Sequence, residues 1–152
     1  MDDLPEIVND TESLVRTIKT PYHFKKNGEV KWQAFKPQVN NSAISVIRQL
    51  MGDDFCKNKS LEIAKNAYIG LAVLLSIKVR QCGSKVYDDR REFLGHAHID
   101  HEICLPQEDR ADLSENSAAL QQRCIKLLED CIFHEDPKPK ESGWFGTPLQ
   151  RK

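Results

Sequence analysis

The chain has 152 residues, of which 39% are hydrophobic and 30% charged, with a formal net charge of -1 and a pI of about 6.5. That length suits one domain burying roughly two-thirds of the surface its unfolded chain would expose. The near-neutral balance excludes a global field for nucleic acid, whose binders carry a basic face or a high pI, and leaves room only for a local basic patch.

Residues 1–13, "MDDLPEIVNDTES", are acidic and broken by Pro5, so they read as a poorly ordered acidic arm. They are the opposite of a signal peptide's basic start and apolar run. Residues 14–135 are expected to form a single α+β domain. Its first segment, "SLVRTIKTPYHF", offers Leu14, Val15 and Ile18 at helical spacing, a short helix stopping before Pro21. A turn at Asn27-Gly28 then leads into a strand with Val30, Trp32 and Ala34 on one face.

"AISVIRQLM" fits both periods, and helix is the preferred reading. "SLEIAKNAY" predicts a helix with Ser60 as N-cap. From Leu71 to Val79 every odd position is a branched residue, which predicts the central strand. The apolar run around it is far short of the about 20 residues that a membrane span needs. "QCGSK" supplies a turn at Gly83, and "KVYDD" is expected to return as a strand paired with Leu71–Val79. "HAHIDHEICL" alternates again, with His96, His98, Asp100 and Glu102 on one face and Ala97, Ile99 and Ile103 on the other.

The last element runs through "DLSENSAALQQRCIKLLEDCIF", a long amphipathic C-terminal helix. Its apolar stripe holds Leu113, Leu120, Cys124, Leu127, Leu128 and Cys131, and Asp112 with Glu115 has the form of a capping box. The predicted class is therefore α+β, a small and mainly antiparallel sheet packed with helices. Residues 136–152 form a Pro/Gly-rich tail in which Trp144 and Phe145 are candidate contacts, to the domain or to a partner protein.

Five cysteines (Cys56, Cys82, Cys104, Cys124, Cys131) stand at irregular spacings with no C-x-x-C. An odd, unpatterned set argues against a disulfide framework or zinc ribbon and points to a reducing, cytoplasmic location. Cys124 and Cys131 read as core residues and Cys82 as a turn residue. Phosphate cradles and nucleophile elbows have no motif here. Lys78, Arg80, Lys85, Arg90 and Arg91 read as a solvated face.

The densest chemistry is "GHAHIDHE". As H-x-H-x-D-H, the residues His96, His98, Asp100 and His101 resemble the metal motif of metallo-β-lactamase-like hydrolases, which implies a zinc centre generating hydroxide. As H-x-H-x-x-x-E, the residues His96, His98 and Glu102 resemble the first motif of the cupins, which implies iron, manganese or zinc. Neither pattern continues downstream, where His134 is the one remaining histidine. Without metal, the cluster reads as a solvated sheet face or a recognition surface for a partner or an anionic ligand.

The segment order "AF", "SVIR", "GLAVLLSIKVRQCGSKV", "GHAHI" and "DPKPKESGW" is similar to a group of small uncharacterised bacterial proteins. That resemblance implies accessory roles in multi-protein operons, phage-defence and toxin-related systems included, and no activity for any residue. The leading expectation is a non-catalytic, cofactor-free interaction protein. The alternative is a metal-dependent hydrolase or oxygenase centred on His96 and His98.

Overall fold

In a computed structural model, residues 4–25, 27–105 and 115–152 are described. Six segments pair into one sheet, the first three rich in branched and apolar residues: β1 (Ser13–Lys19), β2 (Ala43–Arg48), β3 (Tyr68–Leu75), β4 (Lys85–Asp88), β5 (His96–Asp100) and β6 (Ile132–Glu135). The strand order is β4-β5-β2-β1-β3-β6, and every neighbouring pair is antiparallel. Helix α1 (Asp53–Ala64) covers one face, while α2 (Ser76–Gln81) and α3 (Glu115–Asp130) cover the other. The class is α+β, as the patterning predicts.

Two cores follow from this layering. Leu14, Ile18, Ala72 and Leu74 meet Leu120, Cys124 and Leu127 of α3 on one side of the sheet. Val15, Ile47, Leu71 and Val73 meet Cys56 of α1 on the other. Burial pushes the Cys56 and Cys124 thiols up to about 12, so both remain protonated packing groups.

Several expected elements differ, and the reason is common to them. β1 was expected as a helix and β2 as a helix by preference, but both are central strands buried on two faces, which erases the alternation that marks a half-exposed strand. The segment after Gly28 forms a 3-10 turn over Trp32–Phe35 rather than a strand. Ser60 lies inside α1, its hydroxyl 2.6 Å from that of Thr17, and is not a cap.

The apolar alternation through Val79 breaks at Leu75. There the Asp10 and Glu12 carbonyls accept the N–H groups of Ile77 and Ser76 and start α2 instead. β4 consequently pairs with β5 and not with β3, whose neighbours are β1 and β6. β6 carries no pattern beyond four residues. Leu113 and the Asp112 capping box lie outside the described residues.

The expected loose arm is packed from residue 4 onward. Leu4 and Val8 are buried, and Glu12 is paired with Arg48. The tail is packed as well: Leu149 is buried and Trp144 sits against the α1 core. Among the described residues no helix is long and apolar enough to cross a membrane.

One buried histidine gives the fold a pH dependence. His23 is 6% exposed, and its Nδ1 accepts the Lys19 N–H at 3.3 Å. Burial first, and then the charges of Arg16, Lys19 and Lys31, push its pKa from 6.5 down to about 3. Between those values the unfolded chain takes up a proton that the folded chain refuses, so stability is lost as pH falls through that window. Scanning calorimetry between pH 7 and pH 4 is expected to show a fall in melting temperature. A His23→Asn variant, which keeps the acceptor without the titration, should fall less by about 4 °C or more.

Candidate metal centre

Asp88 ends β4 and Asp89 follows it, and the chain returns to β5 through a loop closed by the Asp89 carbonyl accepting the Glu92 N–H. Gly95 turns the chain into β5 with φ +98°, and a Cβ there would stand 2.4 Å from the Met51 side chain, so only glycine fits. The Asp89 N–H donates to the His96 carbonyl at 2.8 Å, which extends the β4/β5 ladder by one rung and sets Asp89 beside the histidines.

His96 and His98, two residues apart on β5, point to the α1 side of the sheet. Asp89 Oδ2 lies 3.2 Å from His96 Nδ1 and 3.3 Å from His98 Nε2. The three donor atoms all lie within 4.8 Å of one another. Ligands held at zinc–nitrogen and zinc–oxygen distances around a tetrahedral ion are roughly 3.3 Å apart, so two edges of such a site already have the right length.

His96 is 4% exposed, and its Nδ1 is buried without a geometrically sound hydrogen bond, despite the nearby carboxylate. The contact is at ion-pair distance without meeting the geometry of a hydrogen bond. A buried polar atom in that position is costly unless a further partner satisfies it. Burial and the neighbouring His98 lower the His96 pKa, outweighing the opposite pull of Asp89, and this keeps the ring neutral and fit to ligate.

The cluster floors a groove of about 550 Å³, walled by Lys59, Glu62 and Ile63 of α1 and by Glu92 and Phe93 of the loop, with Ser45 beside the histidines. Phe93 packs against the His96 ring at 5.0 Å and holds its orientation. His98 is 37% exposed at its side chain, so the centre is open to solvent on one side.

The other sequence candidates lie elsewhere. Asp100 is one repeat further along β5, where its Oδ1 accepts the Glu102 N–H at 2.8 Å. Glu102 has φ +59°, which ends the strand alternation, and its carboxylate pairs with Lys85 at 3.1 Å. His101 is fully buried: its Nε2 donates to the Phe35 carbonyl at 2.9 Å, so its Nδ1 accepts the Ser84 hydroxyl at 2.6 Å. The ligand assignments of both motif resemblances are thereby corrected: His96 and His98 stay together, and Asp100, His101 and Glu102 do not join them.

Asp89 is the residue that motif reading missed. The signal was "YDD": pairing it with "HAHID" as a hairpin, rather than with Leu71–Val79, sets Asp89 opposite His96.

Trp144 is held within the tail and against α1, its indole N–H donating to the Thr147 carbonyl and its backbone N–H to Asp54. Phe145 is 56% exposed, with the Lys138 ammonium 4.7 Å above its ring. Compared with known proteins, the chain matches no family model, no curated protein and no solved structure.

Proposed function

We propose that the chain is a metal-dependent enzyme with a mononuclear centre on His96, His98 and Asp89, acting by metal-assisted hydrolysis. The observation that carries this reading is the buried His96 Nδ1, unsatisfied and converging with a second imidazole and a carboxylate. Three protein ligands leave coordination positions open for water and substrate, which is the form of catalytic zinc sites and of facial iron sites. A metal here would polarise a bound water and supply hydroxide near neutral pH. Glu62 and Glu92 in the groove walls are the carboxylates available to take its proton.

The partner-binding reading draws support from the exposed Phe145 ring of the tail. The converging donors outrank it, because a lone exposed ring is common on surfaces.

Metal analysis of the purified chain is expected to find about one equivalent of zinc, and loss of it in a folded His96→Ala, His98→Ala variant. Asp89→Ala should weaken zinc binding by at least about 100-fold, the range seen when site geometry is disturbed. Iron in place of zinc would redirect the chemistry to oxygen. A wild type that takes up no metal from excess zinc would sink the reading.

A further inference from the structure

The β1/β3 ladder runs the length of β1, but β1 meets β2 only at Leu14↔Arg48 and Val15↔Ile47. Beyond Val15 the two strands part, and Arg16 spans the gap: its Nε donates to the Ala34 carbonyl and its Nη1 to the Ser45 carbonyl, each at 2.8 Å. Among the described residues its Nη2 has no hydrogen-bond partner. Among the described residues no carboxylate pairs with Arg16 or Lys19.

The Arg16 side chain is part-buried, and although burial lowers its pKa to about 10 the guanidinium stays cationic. A part-buried cation that borders a cavity is suited to receive an anion.

The gap holds a cavity of about 40 Å³ lined by Arg16, Thr17, Lys19, Ser45, Ile63 and His96 among others, with two cations and no acid. Ser45, Ile63 and His96 also line the groove over the candidate metal centre, so the two spaces meet at one boundary. At roughly 10–15 Å³ per water-sized position, the cavity holds about three such positions, which suits a planar carboxylate and is small for a tetrahedral phosphate.

We infer that the gap between β1 and β2 is an anion subsite in which Arg16 and Lys19 receive the carboxylate of the substrate, whose other end faces His96, His98 and Asp89. This rests on the metal reading for its second half only. The substrate class is a small carboxylic acid carrying a hydrolysable bond, with an apolar stem where Ile63 lines the passage.

The test uses the full chain stripped of metal, titrated with acetate, isobutyrate and inorganic phosphate while backbone amide shifts of residues 16–19 and 45–47 are followed. Saturable carboxylate binding in the millimolar range is expected, weakened about tenfold or more by Arg16→Met. Because Arg16 also satisfies two carbonyls, Ile63→Trp supplies a second variant: it fills the passage from a half-exposed helix position and leaves those bonds intact. It should weaken carboxylate binding equally.

Unchanged affinity in both variants would overturn the subsite, as would phosphate binding better than acetate. A wild type that binds zinc but no carboxylate overturns this inference alone. One that binds carboxylate but no zinc overturns the metal reading and, with it, the placement of the substrate's other end.

Discussion

Lys57→Met is expected to lower folding stability by about 3–5 kcal/mol, because it leaves an uncompensated charge in the interior. Lys57 on α1 is fully buried, and its Nζ reaches Asp136 at 2.8 Å and the carbonyls of Lys138 and Gly143 at 3.1 and 2.9 Å. Asp136 also accepts the Tyr68 hydroxyl at 2.6 Å. Burial and that bond raise the Tyr68 pKa, so the phenol stays a donor throughout the working range. One ammonium thus ties α1, β3 and the start of the tail together.

A Lys57→Met, Asp136→Leu double variant removes both charges and should recover part of the loss. It should not recover all, since two carbonyls and the Tyr68 hydroxyl lose their partners. Urea unfolding checks both numbers. A single variant within about 1 kcal/mol of wild type would mean that water replaces the ammonium, and that the tail is not clasped to α1 by this group.

How much of this was legible depended on which residues face water. β5 is readable because its polar and apolar sides alternate, and the turn before β4 because Gly83 adopts a positive φ. β1 and β2 were not, since central strands are buried on both faces and their apolar residues satisfy a helical period equally well. The candidate site followed the same rule. His96 and His98 lie two apart on one strand, so local spacing placed them on one face. Asp89 is brought to them by strand pairing, a relation that no short motif encodes. Arg16 read as one polar residue in a short helix. Its meaning comes from two strands that separate beside it, and only the ladder registers reveal this. Glu12 falls in a segment whose acidic composition suggests a loose arm, and Asp136 in one whose prolines and glycines suggest a tail. Each is instead the partner of a buried cation.

Arg48→Met carries the second large expectation, and it reaches the metal centre without touching it. The Arg48 guanidinium is fully buried and joins Glu12 through two hydrogen bonds of 2.6 and 2.8 Å and Asp88 through one of 2.8 Å, with the Pro5 carbonyl as a further acceptor. Burial pushes the Asp88 carboxyl up, but hydrogen bonds from Arg90 and Arg48 outweigh it and hold the pKa below the usual value. The stability Asp88 supplies is therefore present above the unfolded value of about 3.9 and is lost as pH falls through the lowered folded value.

Removing Arg48 strands the buried Glu12 carboxylate and leaves Asp88 to Arg90 alone, a cost of about 3–5 kcal/mol. It also removes one of the two arginines that hold the residue next to Asp89, so the third donor is less firmly aimed at His96 and His98. Loss of such outer support weakens metal binding by about 10–100-fold, and that range is expected for zinc. Arg48→Lys should rescue little, because one ammonium cannot reproduce a paired fork to Glu12 while reaching Asp88. The discriminating comparison is Glu12→Gln, which disturbs the same arginine from the arm side and leaves the Arg48–Asp88 and Arg90–Asp88 contacts in place. It should destabilise the fold while zinc affinity stays within about threefold of wild type, since the outer support of Asp89 is intact. Equal losses of zinc affinity in both variants would mean that general loosening of the fold, and not the hold on Asp88, governs the centre.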